Sequence, residues 1–371
     1  MVFSACQPRV ATSFWAIGTP AYSDVPGYTV IQAEGKTRHC YPVEAWFGGP
    51  TEDTYHELHH HGVAVESELV AYRIYFDKKQ TIDVYCKRTP RLELAQSYWY
   101  PNDSLLAEGY GDDILRVKGT VGVGTVKYWS PSPTDNRSPL CHIEDVGERQ
   151  QWIVKKTHNK ATIAVCDIDW TVPDGKQDIP EERQVVNLNV EYTMRAGHRD
   201  MRCDVTVSKP IEGLCTGVQS IPAKKANIIN LTGEAGLTVQ RSNSEAVQQH
   251  SYWLCDQLPN GVLLASWGTD WPVNDTVKYA KETVGLGVFI PKEFAGEFVH
   301  DDSNNLCLLR LTGKADLTAK RSNSETVQQS EGRSHCHFYL TVVGATKEDH
   351  PVATSATEWF EYLRIWAKDL K

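Results

Sequence analysis

An all-β fold that ends in one helix is the fold class that the sequence predicts, on three observations. From about residue 60 onward, apolar and polar residues alternate with a period of two, as in strands with one buried face. Turn-forming clusters such as Val172-Pro-Asp-Gly175 and Leu258-Pro-Asn-Gly261 separate the alternating runs. The chain lacks the self-similarity every 40 to 50 residues or so that marks propeller blades. We therefore expect antiparallel sheets that pack as one large sandwich.

The individual elements follow from the same alternation, taken in chain order. Leu69 to Phe76 and Thr81 to Cys86 are joined by the polar turn Asp77 to Gln80, which predicts a hairpin. The further runs predicted as strands are 151–155, 161–167, 185–194, 201–207, 261–266, 285–290, 306–311 and 335–343.

The stretch 355–370 predicts the single helix. It opens with a Ser or Thr cap and then places large apolar residues on one helical face. Those residues are Trp359, Tyr362, Leu363 and Trp366. We expect three regions: an N-terminal strand or extension over 1–43, one sandwich domain over 44–350, and the helix over 351–371, packed on the sandwich.

Composition excludes several classes of protein. Apolar residues are 41% and charged residues 23% of the 371 residues, so the chain is neither disordered nor collagen-like. The net charge of −9 disfavours a nucleic-acid partner, because a basic face would supply most of that affinity. No stretch approaches the roughly 18 apolar residues of a membrane span, and the N-terminus lacks the basic start and apolar run of a signal peptide. We expect a soluble protein, cytoplasmic as written, with no membrane partner.

The ten Cys residues are dispersed, without a C-x-x-C pair. This spacing excludes a zinc ribbon or a thioredoxin-like motif. Because several of them lie within strand-like runs, we expect mostly reduced, buried thiols.

Two segments repeat one another in the second half of the chain. Residues 231–249 and 311–329 match at 14 of 19 positions, and the similarity stops on both sides. They are interpreted as a duplicated surface hairpin or, alternatively, as a pair of equivalent sugar-contacting loops.

The densest polar cluster runs from Tyr55 to Glu66 and holds four of the 13 His residues. Histidine titrates near neutral pH, so it can transfer a proton or bind a metal. In an extended chain His59 and His61 would share one face and His60 would take the other. All three could serve one site only on an irregular backbone, and the alternative is a solvated loop.

Two further segments combine polar chemistry with turn geometry. In residues 98–113, Gly109 and Gly111 flank Tyr110 and permit unusual backbone angles. Residues 196–200 place an imidazole, a guanidinium and a carboxylate at a tight turn between strands. We expect the segments 56–66, 98–113 and 196–200 to meet in one cleft. Gly122-Val-Gly124 lacks the spacing of a nucleotide-binding loop.

A family resemblance rests on four of these motifs. The run from His59 to Asp83, Gly109-Tyr-Gly-Asp-Asp113, Gly122-Val-Gly124 and Ala196-Gly-His-Arg-Asp200 resemble the domain-of-unknown-function family numbered 4861, most strongly over residues 44–220. The resemblance implies a galactose-mutarotase-like β super-sandwich and work on acidic glycans. Its members occur mostly in bacterial polysaccharide-utilisation gene clusters and are often exported. At least one relative is described as a dehydratase of the terminal uronic acid of ulvan oligosaccharides.

The function that we expect is β-elimination on a uronic-acid residue of an acidic oligosaccharide, by a dehydratase or a lyase. This reaction needs a cation at the carboxylate, a base for the C5 proton and an acid for the leaving oxygen. The expected catalytic residues are His60, His61, His198, Tyr110 and Arg199. The expected substrate-binding residues are His59, Glu66, Arg73, Tyr98, Trp99, Asp112, Asp113, Trp129 and Arg149.

Arg73, Arg149 and Arg199 are the candidates for the carboxylate, because a guanidinium can bind both oxygens in one plane. Tyr98 is a second candidate for the acid, beside Tyr110. The sequence requires no cofactor. A divalent cation could replace an arginine, with Glu66 and Asp112 among its ligands, but no spacing dictates a metal.

Two other functions remain open from the sequence. A non-catalytic glycan-binding module would use Trp99, Trp129 and Trp152 as stacking surfaces. A glycoside hydrolase or epimerase would use His with Glu, or two carboxylates at a defined separation.

Overall fold

The computed structural model describes residues 9–18, 24, 26, 28–33, 36–49, 55–130, 139–173, 183–222, 229–230, 251–313 and 333–370. The duplicated segments predicted from the sequence lie outside these ranges, apart from residues 311–313. Strands account for 51% and helices for 8% of the structure.

The first half of the chain contributes fourteen of the described strands and the short helix α1 (Asp103–Ala107). These strands are β1 (Val10–Ser13), β2 (Trp15–Gly18), β3 (Thr29–Ala33), β4 (Lys36–Pro42), β5 (Ala45–Gly48), β6 (Ala64–Ser67), β7 (Val70–Ile74), β8 (Ile82–Cys86), β9 (Asp112–Asp113), β10 (Lys127–Trp129), β11 (Leu140–Cys141), β12 (Glu148–Lys156), β13 (Lys160–Thr171) and β14 (Val185–Arg195).

The second half contributes the other described strands and the terminal helix α2 (Ala356–Lys368). These strands are β15 (Met201–Val207), β16 (Leu214–Gln219), β17 (Ile229–Asn230), β18 (Tyr252–Leu258), β19 (Gly261–Asp270), β20 (Glu282–Pro291), β21 (Ala295–His300), β22 (Asn304–Leu309), β23 (Thr312–Gly313) and β24 (Ser334–Gly344).

The largest sheet has eleven strands. Ten of them follow the order β17-β18-β19-β20-β24-β15-β14-β13-β12-β5, and β23 pairs with β24. Two five-stranded sheets have the orders β1-β6-β7-β8-β9 and β11-β10-β16-β22-β21, and a three-stranded sheet has the order β2-β4-β3. Among the described pairs, β17 with β18 is parallel and the others are antiparallel.

One face of the eleven-stranded sheet packs on both five-stranded sheets. Strands β6 and β8 contact β13, β14 and β24, while β16 contacts β19 and β20. A single apolar core fills the interface, with members such as Tyr72, Val190 and Val288, each at most 3% exposed. This arrangement is a β-sandwich, as the alternation predicted.

The helix α2 covers the other face of the same sheet. Its buried residues Trp359, Phe360 and Leu363 pack on strands β19 and β20. The Ser355 side chain caps the helix by accepting a hydrogen bond from the Glu358 amide. The predicted helix and its docking on the β body are confirmed.

The strands predicted from alternation are confirmed as well. The predicted hairpin corresponds to β7 and β8, and the eight later runs correspond to β12, β13, β14, β15, β19, β20, β22 and β24. The region 1–43 contributes β1, which pairs with β6, and the three-stranded sheet. None of the helices within the described ranges is long and apolar enough to cross a membrane, and the nine cysteines described there are free thiols.

Candidate active site

An open cleft of about 220 Å³ lies beside strands β7, β8 and β9. Its walls come from the β7–β8 hairpin, the segment that follows β9, and the loop after β19. The lining residues are Tyr75, Asp77, Lys79, Thr81, Asp83, Tyr100, Asp113, Leu115, Arg116, Val117, Lys118, Pro272, Val273 and Asn274.

A buried ion pair underlies the floor of this cleft. Arg73 and Asp83 are opposite one another in the register of β7 and β8, and their side chains form the pair with almost no exposure to solvent. The Tyr75 hydroxyl donates a further hydrogen bond to the Asp83 carboxylate. Burial raises the pKa of Asp83, and Arg73 opposes that rise.

Aromatic rings enclose the Arg73 guanidinium. Its Cζ lies 4.1 Å from the ring centroid of Tyr85, 5.6 Å from that of Tyr100 and 5.9 Å from that of Tyr75. Its Nη1 donates to the Trp99 carbonyl oxygen at 2.5 Å. The guanidinium is therefore fixed from several sides and acts on the cleft through Asp83.

A second carboxyl group, Asp113, lies on the adjacent strand. Asp113 is opposite Tyr85 in the register of β8 and β9, and it accepts a hydrogen bond from the Leu115 amide at 2.9 Å. Burial, and then the negative charge of Asp83, raise the pKa of Asp113 well above its ordinary value. The floor thus holds two carboxyl groups, and among the described residues Asp83 is the one that forms an ion pair.

Cations line the rim of the same cleft. Lys79 and Lys118 are exposed, and Arg116 is partly buried and pairs with Asp270 at 2.9 Å. A cleft with a cationic rim attracts anionic ligands, because low-dielectric walls concentrate the field of the rim charges.

The histidine run lies next to this cleft on an irregular backbone. His60 and His61 have φ of 60° and 59°, in the left-handed region, and Gly62 follows with φ of 155°. A Cβ atom on Gly62 would lie 2.1 Å from the Ile74 carbonyl oxygen, so this position requires glycine. The turn directs the three imidazoles to different surroundings.

His59 supports an aromatic residue of the N-terminal region. Its ring stacks on Trp15 with centroids 5.0 Å apart, and its Nε2 donates to the Ser97 carbonyl oxygen at 2.7 Å. Its Nδ1 then accepts from the Ser13 hydroxyl at 2.9 Å. The ring is therefore held by hydrogen bonds at both nitrogens.

His61 lies between two aromatic rings near the cleft. The Trp99 centroid is 4.3 Å from that of His61, and the centroid of Tyr75, which lines the cleft, is 5.3 Å away. His61 Nδ1 donates to the Tyr55 carbonyl oxygen at 3.2 Å, and His60 Nε2 donates to the Leu94 carbonyl oxygen at 2.8 Å.

Burial makes all three imidazoles weak bases. It lowers the pKa of His59 and of His61 to about 3, and that of His60 well below its usual value. The cation Arg73 lowers each of these pKa values further. Neutral imidazoles that hydrogen-bond to backbone carbonyls serve here to fix the aromatic side chains around them.

Comparison with known families bears on this site. The family model described as Domain of unknown function (DUF4861) matches residues 47–371, which is well over half of the chain. The chain belongs to this family. The match includes every residue that lines the cleft as well as α2. The DUF4861 resemblance seen in the sequence is confirmed and reaches the C-terminal end, and the search of curated proteins found no match.

Three of the residues expected to bind substrate in this DUF4861 protein are engaged in buried structural contacts. Glu66 forms an ion pair with Lys87 and accepts hydrogen bonds from the backbone of Glu93 and Leu94. Arg149 pairs with Asp167 at 2.7 Å. Trp129 lies in β10 and packs on a small apolar cluster with members such as Cys215 and Leu306. None of the three lines the cleft.

Four expected residues lie closer to the histidine run or to the cleft floor. Trp99 stacks on His61, and Tyr98 is buried with its ring 5.7 Å from His59. Asp112 precedes Asp113 in β9, and burial raises its pKa to about 6. Asp113 itself lines the cleft, and so does Asp83, the partner of the expected residue Arg73.

None of the expected catalytic residues outside the histidine run lines the cleft. Arg199 binds Glu348 through both guanidinium Nη atoms at 3.0 Å and so ties the β14–β15 turn to the segment before α2. His198 Nδ1 lies 3.1 Å from Asp200, and Tyr110 packs under the Arg91 guanidinium at 3.9 Å.

The three segments expected to meet are thus arranged in two groups. Segments 56–66 and 98–113 are in contact through His61 and Trp99. Segment 196–200 contacts the β6–β7 turn instead, where the Ser67 hydroxyl donates to the His198 carbonyl oxygen at 2.7 Å. It contributes no lining residue to the cleft.

Sequence reasoning missed most of the cleft. Asp83, Tyr75, Tyr100 and the three rim cations were not among its site residues. The signal that could have found Asp83 is a charged residue inside the apolar run Ile82-Asp-Val-Tyr-Cys86, because charged residues are rarely buried without a partner. Arg73 gives the same signal on the preceding strand.

The described residues contain no group of three or more His, Cys, Asp or Glu side chains that is arranged to hold a metal ion. Glu66 and Asp112, the sequence-based candidates for such ligands, lie on β6 and β9, which are separated in their sheet by β7 and β8.

Proposed function

We propose that the cleft catalyses β-elimination on a uronic-acid residue of an acidic oligosaccharide, which gives a 4,5-unsaturated uronate. The observation that carries this proposal is the pair Asp83 and Asp113 on the floor. Arg73 favours the ionised form of Asp83 and opposes the effect of burial there, whereas burial and the neighbouring charge of Asp83 favour the protonated form of Asp113. Two carboxyl groups with different proton affinities can act as a base and an acid in one reaction.

The proposed reaction uses each group of the cleft once. The Asp83 carboxylate takes the C5 proton, and the electron pair of the C5–H bond forms the C4=C5 double bond. The bond from C4 to its oxygen breaks, and that oxygen takes the proton of Asp113 as it leaves. Water leaves in a dehydratase, and a sugar hydroxyl leaves in a lyase.

The rim cations supply the third requirement of elimination. The C5 proton becomes acidic only when the neighbouring carboxylate is neutralised, because negative charge builds up on it in the transition state. Lys79 and Lys118 line the cleft and offer that charge, while Arg116 lines it as the ion-pair partner of Asp270. The proposal therefore moves proton transfer from His60, His61 and His198 to the carboxyl pair, and carboxylate binding from the buried arginines to the rim.

The test follows the conjugated product by absorbance at about 235 nm, with uronate-terminated oligosaccharides as substrates. Asp113→Asn and Asp83→Asn should each lower turnover by roughly 10² to 10⁴, because general acid or base catalysis contributes that much. Asp145→Asn is the matched control on an exposed turn, where it should leave turnover unchanged. Wild-type turnover in both floor variants would refute the assignment.

A second candidate function is glycoside hydrolysis, which the same pair of carboxyl groups favours. Glycoside hydrolases use one protonated and one ionised carboxyl group on either side of the bond that breaks. The two reactions differ in their products. Hydrolysis releases a new reducing end with no conjugated product, and loss of that activity in Asp113→Asn would favour it over elimination.

A further inference from the structure

A second depression, of about 490 Å³, lies beside the N-terminal end of α1. It is bounded by β2, β3, the 95–96 turn and α1. We propose that it is a carbohydrate subsite for a neutral, hydroxyl-rich sugar residue, with Trp15 as its stacking surface.

The chemistry of the lining selects the class of ligand. The polar side chains are the hydroxyls and amides of Thr29, Gln32, Gln96, Asn102 and Ser104, and none of the lining residues is charged. The cleft, in contrast, presents three cations and three carboxyl groups. Uncharged donors and acceptors beside aromatic and aliphatic surface suit sugar hydroxyls and the apolar face of a sugar ring.

The stacking surface is fixed before any ligand arrives. Trp15 stacks on His59 with an interplanar angle of 20°, and both His59 nitrogens are hydrogen-bonded, to Ser13 and to Ser97. Another lining residue, Asn102, is fixed as well: its Oδ1 caps α1, and its Nδ2 donates to the Gln32 carbonyl oxygen at 3.2 Å. A preformed site loses less conformational freedom when it binds.

The histidine run therefore serves both depressions. His59 fixes Trp15 in the second depression, and His61 packs on Tyr75 in the cleft, although the two residues are two positions apart. The left-handed backbone at His60 and His61 makes this division possible. His59 takes no part in the proposed reaction. In the second depression it positions the ring of Trp15.

The two depressions share one wall. Tyr100 lines the cleft and Asn102 lines the second depression, and two residues of extended chain span at most about 7 Å. One oligosaccharide could thus place its uronic acid in the cleft and a neutral residue against Trp15. This spanning geometry rests on the proposed function, whereas binding of a neutral sugar to the second depression does not.

The direct test uses neutral disaccharides, namely xylobiose, cellobiose and maltose, at millimolar concentration with the full-length protein. Saturation-transfer difference NMR should detect binding of at least one of them to the wild type. Trp15→Ala should weaken that binding about tenfold or more, and Gln96→Ala, at an exposed position, should weaken it several-fold without affecting the fold. Phe47→Ala removes an exposed aromatic ring on β5 that lines neither depression, and should leave binding unchanged.

The outcomes separate this subsite from the elimination reaction. Absence of binding by every neutral disaccharide, or equal binding by the wild type, Trp15→Ala and Gln96→Ala, would overturn the subsite whatever the absorbance at 235 nm shows. Binding that Trp15→Ala and Gln96→Ala reduce, in a protein that never forms the conjugated product, would support the subsite and reject the proposed reaction alone. A thermal unfolding scan of each variant identifies loss of fold.

Discussion

Arg73 organises the cleft although its own side chain is fully buried. It forms an ion pair with Asp83, packs against three tyrosine rings and donates to the Trp99 carbonyl oxygen. A cation in such a position costs desolvation energy that only a complete set of partners offsets. Its contribution to activity therefore passes through Asp83, and its contribution to stability should be large.

Replacing Arg73 with Leu should destabilise the protein by about 3–5 kcal/mol, because Asp83 would then be a buried carboxylate without its cation. Urea unfolding monitored by fluorescence measures this change. Arg364→Ala is the control, since its ion pair with Asp256 is partly exposed and should contribute about 0–1 kcal/mol. Equal losses of unfolding free energy in the two variants would contradict the large contribution of Arg73 to stability.

The Tyr75 hydroxyl should tune the base of the proposed reaction. Tyr75→Phe removes the hydrogen bond to the Asp83 carboxylate and keeps the ring against His61. A charged form that loses a donor is less stable, so the pKa of Asp83 should rise. The acidic limb of the pH profile of kcat should then move to higher pH. Tyr362→Phe, on the opposite face of the large sheet, should leave the profile in place.

At the scale of single residues, the sequence indicated some of the residues at the cleft, but it did not indicate which charged residues are engaged in ion pairs. It singled out Arg73 and Asp113, which the structure brings to the cleft floor, and the histidines, which lie beside it. It could not show that Arg149 and Arg199 are engaged by Asp167 and Glu348, because those partners lie 18 and 149 residues away in the sequence. Pairing between distant strands decides which charges are neutralised.

Secondary-structure elements were the most predictable level of this molecule. Alternation identified strands such as β14, whose buried residues alternate with more exposed ones. Strands β19 and β20 are buried on both faces, because α2 covers the second face. Short strands such as β9 are too short to show any period. The two glycines of the 109–111 turn are needed for different reasons. Gly109 has φ of 79°, in the left-handed region, whereas a Cβ atom on Gly111 would lie 2.0 Å from the Cys86 carbonyl oxygen.

The helix α2 offers a matched test of how one element is held. Leu363 is fully buried against the large sheet, whereas Ile365, two positions away, is 65% exposed. Leu363→Ala should cost about 2–5 kcal/mol of unfolding free energy, because it removes buried methyl groups and leaves a cavity. Ile365→Ala should change that free energy by less than about 0.5 kcal/mol. Similar losses for both variants in urea unfolding would mean that α2 packs with a different face.

At the scale of the whole molecule, the order of strands assembles the site. Strand β24, the last strand of the chain, lies between β20 and β15 in the large sheet. Strand β1, the first, pairs with β6 in another sheet. Alternation specifies which residues of a strand are buried, but it does not specify the neighbouring strand. The cleft, which combines the β7–β8 hairpin with a loop nearly 200 residues later in the chain, could therefore not be derived from the sequence.

The buried histidines should make the stability of the whole molecule sensitive to acid. Folding lowers the pKa of His59, His61 and His142 to about 3, and that of His60 well below its usual value of 6.5. Below about pH 6.5 the unfolded chain binds protons that the folded protein does not, so stability falls as the pH falls. The raised pKa values of Asp112 and Asp113 oppose this trend, because the folded protein binds those protons more tightly.

Each of the four imidazoles should by itself lower the unfolding free energy by about 1 kcal/mol per pH unit between about pH 6.5 and pH 5. The raised pKa values of the buried carboxyl groups offset part of this loss; burial raises those of Asp83, Glu93, Asp167 and Glu191 as well. Urea unfolding at several pH values in this window measures the slope. His61→Phe keeps a ring between Tyr75 and Trp99 but cannot bind a proton in the unfolded chain, so it should reduce the slope by about 1 kcal/mol per pH unit. His158→Gln, at an exposed position, should leave the slope unchanged. A slope that His61→Phe does not alter would mean that this imidazole is protonated in the folded protein, and its stacking between two rings would then have to be explained as a cation–π contact.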